Sequence, residues 1–225
     1  MDSTDWNALW QVSSEKISRV DCHYHRYLYS QINWNNRLIC IKGESGVGKT
    51  TLMLQHLAQM NYKSDTVLYV AMDNLWFEKH DLMDLVSYFA THNGQYLFLD
   101  EIHHLSNWSV YIKNIYDNYP ELHVVYSGSS MLNITTHEAD LSRRQRVYNL
   151  PAMSFREYLL FQGYEVGEAI SLTDILTNHV SIAAHLLPKD VRILPLFEQY
   201  LHSGCYPFYK EEGDGYMERI ASIIH

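Results

Sequence analysis

Cysteine is scarce in this chain, and Cys22, Cys40 and Cys205 are too far apart and odd in number to form a disulfide framework. No early stretch has the basic, apolar and small-residue layout of a secretory signal, so a reducing cytoplasm is the expected compartment. Long apolar runs are missing too. Runs such as 96–99, or 182–187 with His185 inside it, fall far short of the roughly 18–20 residues that span a bilayer, and no membrane segment is expected. Positive charge is in short supply: 17 Lys and Arg stand against 26 Asp and Glu, a net charge of −9. That balance disfavours nucleic acid bound through bulk positive potential and leaves only a local basic patch for such a partner. Blocks of like charge, low-complexity tracts and internal repeats are absent as well. With 47% apolar and 19% charged residues, the chain reads as globular, long enough for one well-buried α/β domain and a small appended module.

What is present is an alternation of strand and helix patterns. Residues 5–30 carry Trp6, Leu9, Trp10, Ile17, Val20 and Tyr24 at near-helical spacing, which predicts one or two helices. Leu38-Ile39-Cys40-Ile41 is a short apolar run, the mark of a strand buried on both faces. A helix over 49–60 follows, with Met53, Leu54, Leu57 and Ala58 on one side. Further strands are expected at 67–71, 96–99 and 123–126, with helices at about 80–91 and 108–118, and strand–helix alternation of this kind implies a parallel sheet. Residues 146–150 supply a fifth strand closed by Pro151, and Ser154 with Glu157 three residues later is a capping box opening another helix. From about Gly163 the pattern is a helical tail, broken at Pro188, Pro195 and Gly204, that ends inside an amphipathic segment.

Between the first strand and its helix lies Gly43-Glu44-Ser45-Gly46-Val47-Gly48-Lys49-Thr50, which satisfies G-x-x-x-x-G-K-[ST] in full and in the required context. Glycines let backbone N–H groups crowd around phosphates, and the helix N-terminus adds partial positive charge. Lys49 is the candidate for the β- and γ-phosphates, and the Thr50 hydroxyl for Mg2+. Asp100 and Glu101 directly follow the apolar strand Tyr96-Leu97-Phe98-Leu99, at the sheet edge where ligands gather. In P-loop NTPases an aspartate here holds the Mg2+ shell and an adjacent glutamate polarises the attacking water. Asp100 and Glu101 are the candidates for those roles.

Val124-Val125-Tyr126 ends in the hydroxyls Ser127, Ser129 and Ser130, of which Ser127 or Ser129 is a candidate phosphate sensor, the alternative being a plain turn. Arg143, Arg144 and Arg146 offer cations that could approach a γ-phosphate in this subunit or a neighbour's. The pairs His23/His25 and His103/His104 lack further ligands at recognisable spacing, and adjacent histidines would not share a helical face, which argues against zinc.

Several further landmarks are ordered along the chain: Ile32-Asn33-Trp34 before Arg37-Leu38, the loop from Gly43 through Thr51, Leu99-Asp100-Glu101-Ile102, Trp108, Ser127-Gly128-Ser129-Ser130 and Leu141-Ser142-Arg143-Arg144. The most specific are Met153-Ser154-Phe155-Arg156-Glu157-Tyr158-Leu159, and Tyr200-Leu201 before Gly204-Cys205-Tyr206-Pro207. In these the chain resembles a bacterial and archaeal AAA-type ATPase family whose P-loop domain precedes a C-terminal domain compared with restriction endonucleases. It departs from the family at Ser45, where many members carry arginine, and at Arg143 and Cys205, where members carry glycine.

The resemblance implies ATP with Mg2+ and attack of water on the γ-phosphate, and it carries the sensor or finger role to Arg144 alone. No Asn-Lys-x-Asp guanine reader is present, in agreement with ATP. The expected fold is α/β, a parallel sheet of about five strands flanked by helices. Its expected divisions are an N-terminal helical segment (1–35), an ATPase core (36–162) and a helical lid-like tail (163–225). The chain is expected to stop where the family's C-terminal domain would begin. Expected partners are ATP and a protein or that further domain, with an oligomer allowed. A nucleotide-binding module with negligible turnover and a small-molecule kinase remain as alternative readings.

Overall fold

A computed structural model of the chain describes residues 3–60, 64–129, 141–185, 191–212 and 215–224. Five strands form one sheet: β1 (Leu38–Lys42), β2 (Val67–Ala71), β3 (Tyr96–Asp100), β4 (His123–Gly128) and β5 (Arg146–Asn149). All neighbours are parallel, in the order β2-β3-β4-β1-β5. The flanking helices are α1 (Ser3–Arg19), α2 (Lys49–Gln59), α3 (Leu82–Thr91) and α4 (Trp108–Asn118). This is the P-loop NTPase arrangement expected from the sequence, with a fifth strand at the edge beside β1.

The apolar runs become strands because parallel strands joined by crossover helices are covered on both faces. Every residue of β1 is buried. On one face Leu38, Cys40, Leu68, Leu97, Leu99, Val124 and Tyr126 join Leu85, Phe89, Ile112 and Ile115 of α3 and α4 in the main core. On the other, Ile39, Ile41, Phe98 and Val125 are also buried, and the α2 residue His56 lies 6.2 Å from the Phe98 ring. α1 guards the open edge of β2: Ser13 Oγ accepts the Tyr69 N–H at 2.9 Å, and Trp6 stacks on Tyr88 at 4.4 Å. An edge strand left bare would present such N–H groups to other chains.

The structure sharpens the spacing pattern at the N-terminus and departs from it at Pro195. The N-terminal segment is a single helix that stops at Arg19, followed by irregular chain and a short 3₁₀ turn at Tyr27–Ser30. Gln55 of α2 anchors this stretch, its Nε2 donating to both Asp21 O and Tyr24 O at 2.7 Å. Pro195, expected as a break, lies in the first turn of the helix Ile193–Ser203. A first-turn residue has no intrahelical use for its N–H, so proline is tolerated there. Gly204 does end that helix. Pro188 lies outside the described residues.

The chain divides into two compact units, Met1–Pro151 and Ala152–His225. The helix Phe155–Phe161, placed in the core range 36–162 by the sequence, clusters with the second unit. Its cohesion there is local: Met153 N donates to Cys205 O at 2.7 Å, Tyr200 OH donates to Met153 O at 2.8 Å, and Phe155 meets Phe197 edge-on at 5.1 Å. The capping box forms as expected, with Ser154 N donating to Glu157 Oε2 at 3.0 Å and Glu157 N to Ser154 Oγ at 3.3 Å. Among the described residues no helix is long and apolar enough to cross a membrane.

His56 stacks on Trp34 with ring centroids 3.8 Å apart and 8° between planes. Burial pushes its pKa down from 6.5 to about 4. The unfolded chain therefore takes up a proton that the folded chain refuses, and stability falls as pH drops through the window from 6.5 to about 4. Replacing His56 with Phe keeps a ring on Trp34 and is expected to flatten that limb; urea midpoints of both proteins at neutral pH and near pH 5 measure the difference.

Candidate functional site

Register brings the candidate residues to one edge of the sheet. Leu99 pairs with Tyr126 and Tyr126 with Cys40, so Asp100 is level with Ser127 and Ile41, and the loop beginning at Gly43 leaves from just beyond. Gly43 N donates to Gly128 O at 3.3 Å, continuing the β1–β4 ladder into the loop. A side chain at Gly43 would collide with Leu150 O, 2.4 Å from an added Cβ. Gly46 and Gly48 have φ of 81° and 98°, the left-handed region that residues with a Cβ avoid. Val47 is fully buried beneath the loop, and α2 starts at Lys49 with Thr50 and Thr51 in its first turn.

Asp100 is 2% exposed and gathers four donors. Its Oδ2 accepts from Thr50 Oγ1 at 2.5 Å and from Tyr69 OH at 2.6 Å. Its Oδ1 accepts from Ser127 Oγ and, at 3.2 Å, from the Glu101 N–H. A buried carboxylate needs such company, because charged-group hydrogen bonds offset its lost hydration. Burial, then the neighbouring Asp100 charge, push the Tyr69 phenol well above its ordinary range, so it acts here as a donor. The hard oxygen donors of Thr50 and Asp100 have the chemistry that suits Mg2+.

Lys49 is almost wholly buried, with Nζ donating to Gly43 O at 3.0 Å and Glu44 O at 2.9 Å and lying 4.0 Å from Glu101 Oε1. Burial lowers its pKa, opposed by the Glu101, Asp100 and Glu44 charges. Glu101 sits at φ 54°, ψ 46°, a left-handed conformation that costs a residue with a side chain roughly 1–3 kcal/mol. Its N–H is held by Ser127 Oγ at 3.0 Å, and its Oε2 lies 3.3 Å from His103 Nδ1. The turn thus aims Glu101 away from the Asp100 cluster toward Lys49.

Of the candidates named from the sequence, Gly43, Glu44, Ser45, Gly46, Val47, Gly48, Lys49, Thr50 and Thr51 form the loop and helix start, and Asp100, Glu101 and Ser127 converge on it. Ser127 commits its proton to Asp100, which makes it a brace for the acidic pair. Ser130 lies outside the described residues. Arg144 is not brought to this edge. Its Nε donates to Asp117 Oδ1 at 3.0 Å and its Nη2 to Asp117 Oδ2 at 3.2 Å, near the end of α4. Arg37, just ahead of β1, donates to the adjacent Tyr116 O, which puts this pair at the opposite edge of the sheet. The five residues of β1 separate the two edges by about 16 Å, out of reach of the chain's own loop.

Two residues that the sequence did not single out touch the site. Tyr69 reads as an ordinary core aromatic inside an apolar strand, and only its diagonal position across from Asp100, set by the Tyr69–Phe98 pairing, reveals the contact. Arg26, 5% exposed in an aromatic-rich stretch, donates through Nη1 to Val47 O and through Nη2 to Pro151 O at 2.8 Å. Peptide planarity then turns the Gly48 N–H away from Arg26, fixing one face of the loop. Arg26→Met leaves both carbonyls without this partner and is expected to lower unfolding free energy by about 1–3 kcal/mol, read from urea denaturation at neutral pH.

A family model described as an AAA domain matches residues 35–159, more than half of the chain. The chain is also 30% identical over 199 residues to Uncharacterized protein MJ1637 of Methanocaldococcus jannaschii, covering 81% of this chain and 40% of that relative. A second, Uncharacterized protein MJ1544 of the same organism, is 23% identical over 144 residues, covering 60% of this chain and 31% of the relative. The chain thus spans well under half the length of either. With that model matched over more than half of its length, this chain belongs to the AAA domain family.

Proposed function

We propose that the chain binds Mg-ATP at residues 43–50 and hydrolyses the γ-phosphate, the cycle moving a partner or a further domain. The observation that supports this most directly is the 2.5 Å contact of Thr50 with Asp100, which joins two motifs fifty residues apart beside the loop. Loop N–H groups and the N-terminus of α2 receive phosphate charge. Lys49 exchanges the carbonyls of Gly43 and Glu44 for β- and γ-phosphate oxygens. Thr50 and Asp100 hold Mg2+, which when bound neutralises charge building on the phosphates. Glu101, poised 4.0 Å from Lys49, orients the attacking water and takes its proton. Ser127 and Tyr69 keep the Asp100 carboxylate from turning.

Arg144 stands too far away to serve its own site, so a finger role falls to a neighbour's site. An arginine finger supplies about 10³–10⁵-fold in rate, so a lone chain would turn over slowly. The same placement favours a second reading, a nucleotide-binding module with negligible turnover. On the second unit, Leu172 and Leu176, one helical turn apart ahead of the kink at Asn178, are both more than 70% exposed, which supports a surface for a partner under either reading.

Phosphate release and nucleotide binding, measured together, separate the two. Glu101→Gln is expected to retain ATP binding and lose turnover about 100-fold or more, whereas Lys49→Ala loses tight binding. Absence of turnover in the unaltered protein, alone and at high concentration, would select the second reading. Tyr69→Phe removes one hydroxyl only: the Mg2+ concentration for half-maximal turnover should rise several-fold, with ATP binding in EDTA unchanged. An unaltered Mg2+ curve would remove Tyr69 from any positioning role.

A further inference from the structure

Spacing in the sequence argues against a metal at His103 and His104, because neighbours on an α-helix diverge by about 100°. The side chains meet nonetheless. Glu101 is left-handed and opens the 3₁₀ turn Ile102–His104, where neighbours diverge by about 120°, yet the two imidazole rings lie 4.6 Å apart between centroids with 32° between planes. Glu101, His103 and His104 each offer one ligand atom, and the three atoms lie within 4.8 Å of one another. Both histidines are exposed and Glu101 is half-buried, so the group is open to solvent.

We propose that Glu101, His103 and His104 form a three-ligand site for a borderline divalent cation of the zinc type, and that its occupation withdraws Glu101 from the reacting water. Two imidazoles and one carboxylate, with water in the remaining position, make a donor set suited to zinc rather than to Mg2+, which takes oxygen ligands. Bonds of about 2.1 Å to a tetrahedral ion place ligand atoms about 3.4 Å apart. Glu101 Oε2 and His103 Nδ1 already stand 3.3 Å apart. Only His104 must swing inward, and its exposure permits that rotation. Lys49 faces the other carboxylate oxygen, Oε1, at 4.0 Å. Its charge weakens the site without blocking Oε2.

The all-oxygen pair Thr50–Asp100 and this nitrogen-bearing cluster start from adjacent residues, yet the turn at Glu101 separates their chemistry. A cation on Oε2 leaves the phosphate loop untouched and occupies the group that would accept the proton. Nucleotide binding then persists while turnover stops. This consequence rests on the proposed hydrolysis; the binding itself does not.

The test titrates Zn2+ into the nucleotide-free chain in excess Mg2+ by calorimetry. One site is expected. His104→Ala should weaken it at least about tenfold, the low end of what even an outer-sphere partner costs. His23→Ala, at the exposed Asp21–His23 pair, serves as the control and should leave that affinity in place. Equal Zn2+ affinity in wild type and His104→Ala would overturn the site. Phosphate release from Mg-ATP supplies the second readout: stoichiometric Zn2+ inhibits wild type, while His104→Ala turns over normally and resists. Equal inhibition of both would overturn the regulatory role. A chain without turnover would refute the proposed hydrolysis and with it that role, and the calorimetric result would still decide whether the cation site exists.

Discussion

One buried carboxylate, that of Asp100, ties the first unit together. Its donors come from α2, β2, β4 and the turn that follows β3. A charge removed from water at that depth must be matched by hydrogen bonds, and each donor supplied fixes the element that carries it. The helix start, the edge strand and the strand beside β1 are thereby held in a common position. Sheet pairing sets their levels, and the carboxylate locks the side chains that the levels bring near.

The N-terminal segment takes part in the same network at second hand. α1 grips β2 through the Ser13–Tyr69 N–H contact, and Lys16 lies 5.0 Å over the ring of the same tyrosine. Farther along, Arg26 holds the crest of the loop by Val47 O and also grips Pro151 after β5. Gln55 anchors the intervening chain to α2. A segment that reads as a helical appendage is a set of struts bracing the loop and the acidic pair, and a displacement of α1 would be felt at Asp100 through a single tyrosine.

The opposite edge is organised by different chemistry. The bidentate Arg144–Asp117 pair is partly exposed, so its charges are screened and its net contribution to stability is small. Its value is positional: it keeps a planar cation about a strand's length from the chain's own phosphate loop. That separation keeps Arg144 out of reach of its own glycine loop.

The sequence determined the elements whose signals are local. The five strands, the phosphate loop with its left-handed glycines, the acidic pair at a strand end and the Ser154–Glu157 capping box all follow from periodicity, chirality and short-range hydrogen bonding. Tertiary structure alone decided the rest. Tyr69 and Arg26 carry no signal in their neighbours, because their partners lie 31 and 21 residues away. Arg144 stood beside a plausible motif, but the parallel pairing of β5 with β1 puts it at the far edge, where Asp117 of α4 holds it. His103 and His104 are neighbours in a 3₁₀ turn, where the backbone sends them apart, and only their side chains bring the two rings together. Backbone geometry is written mostly in adjacent residues; the facing of a long polar side chain depends on which distant group offers it a charge or a lone pair, and that is set only when the chain has folded.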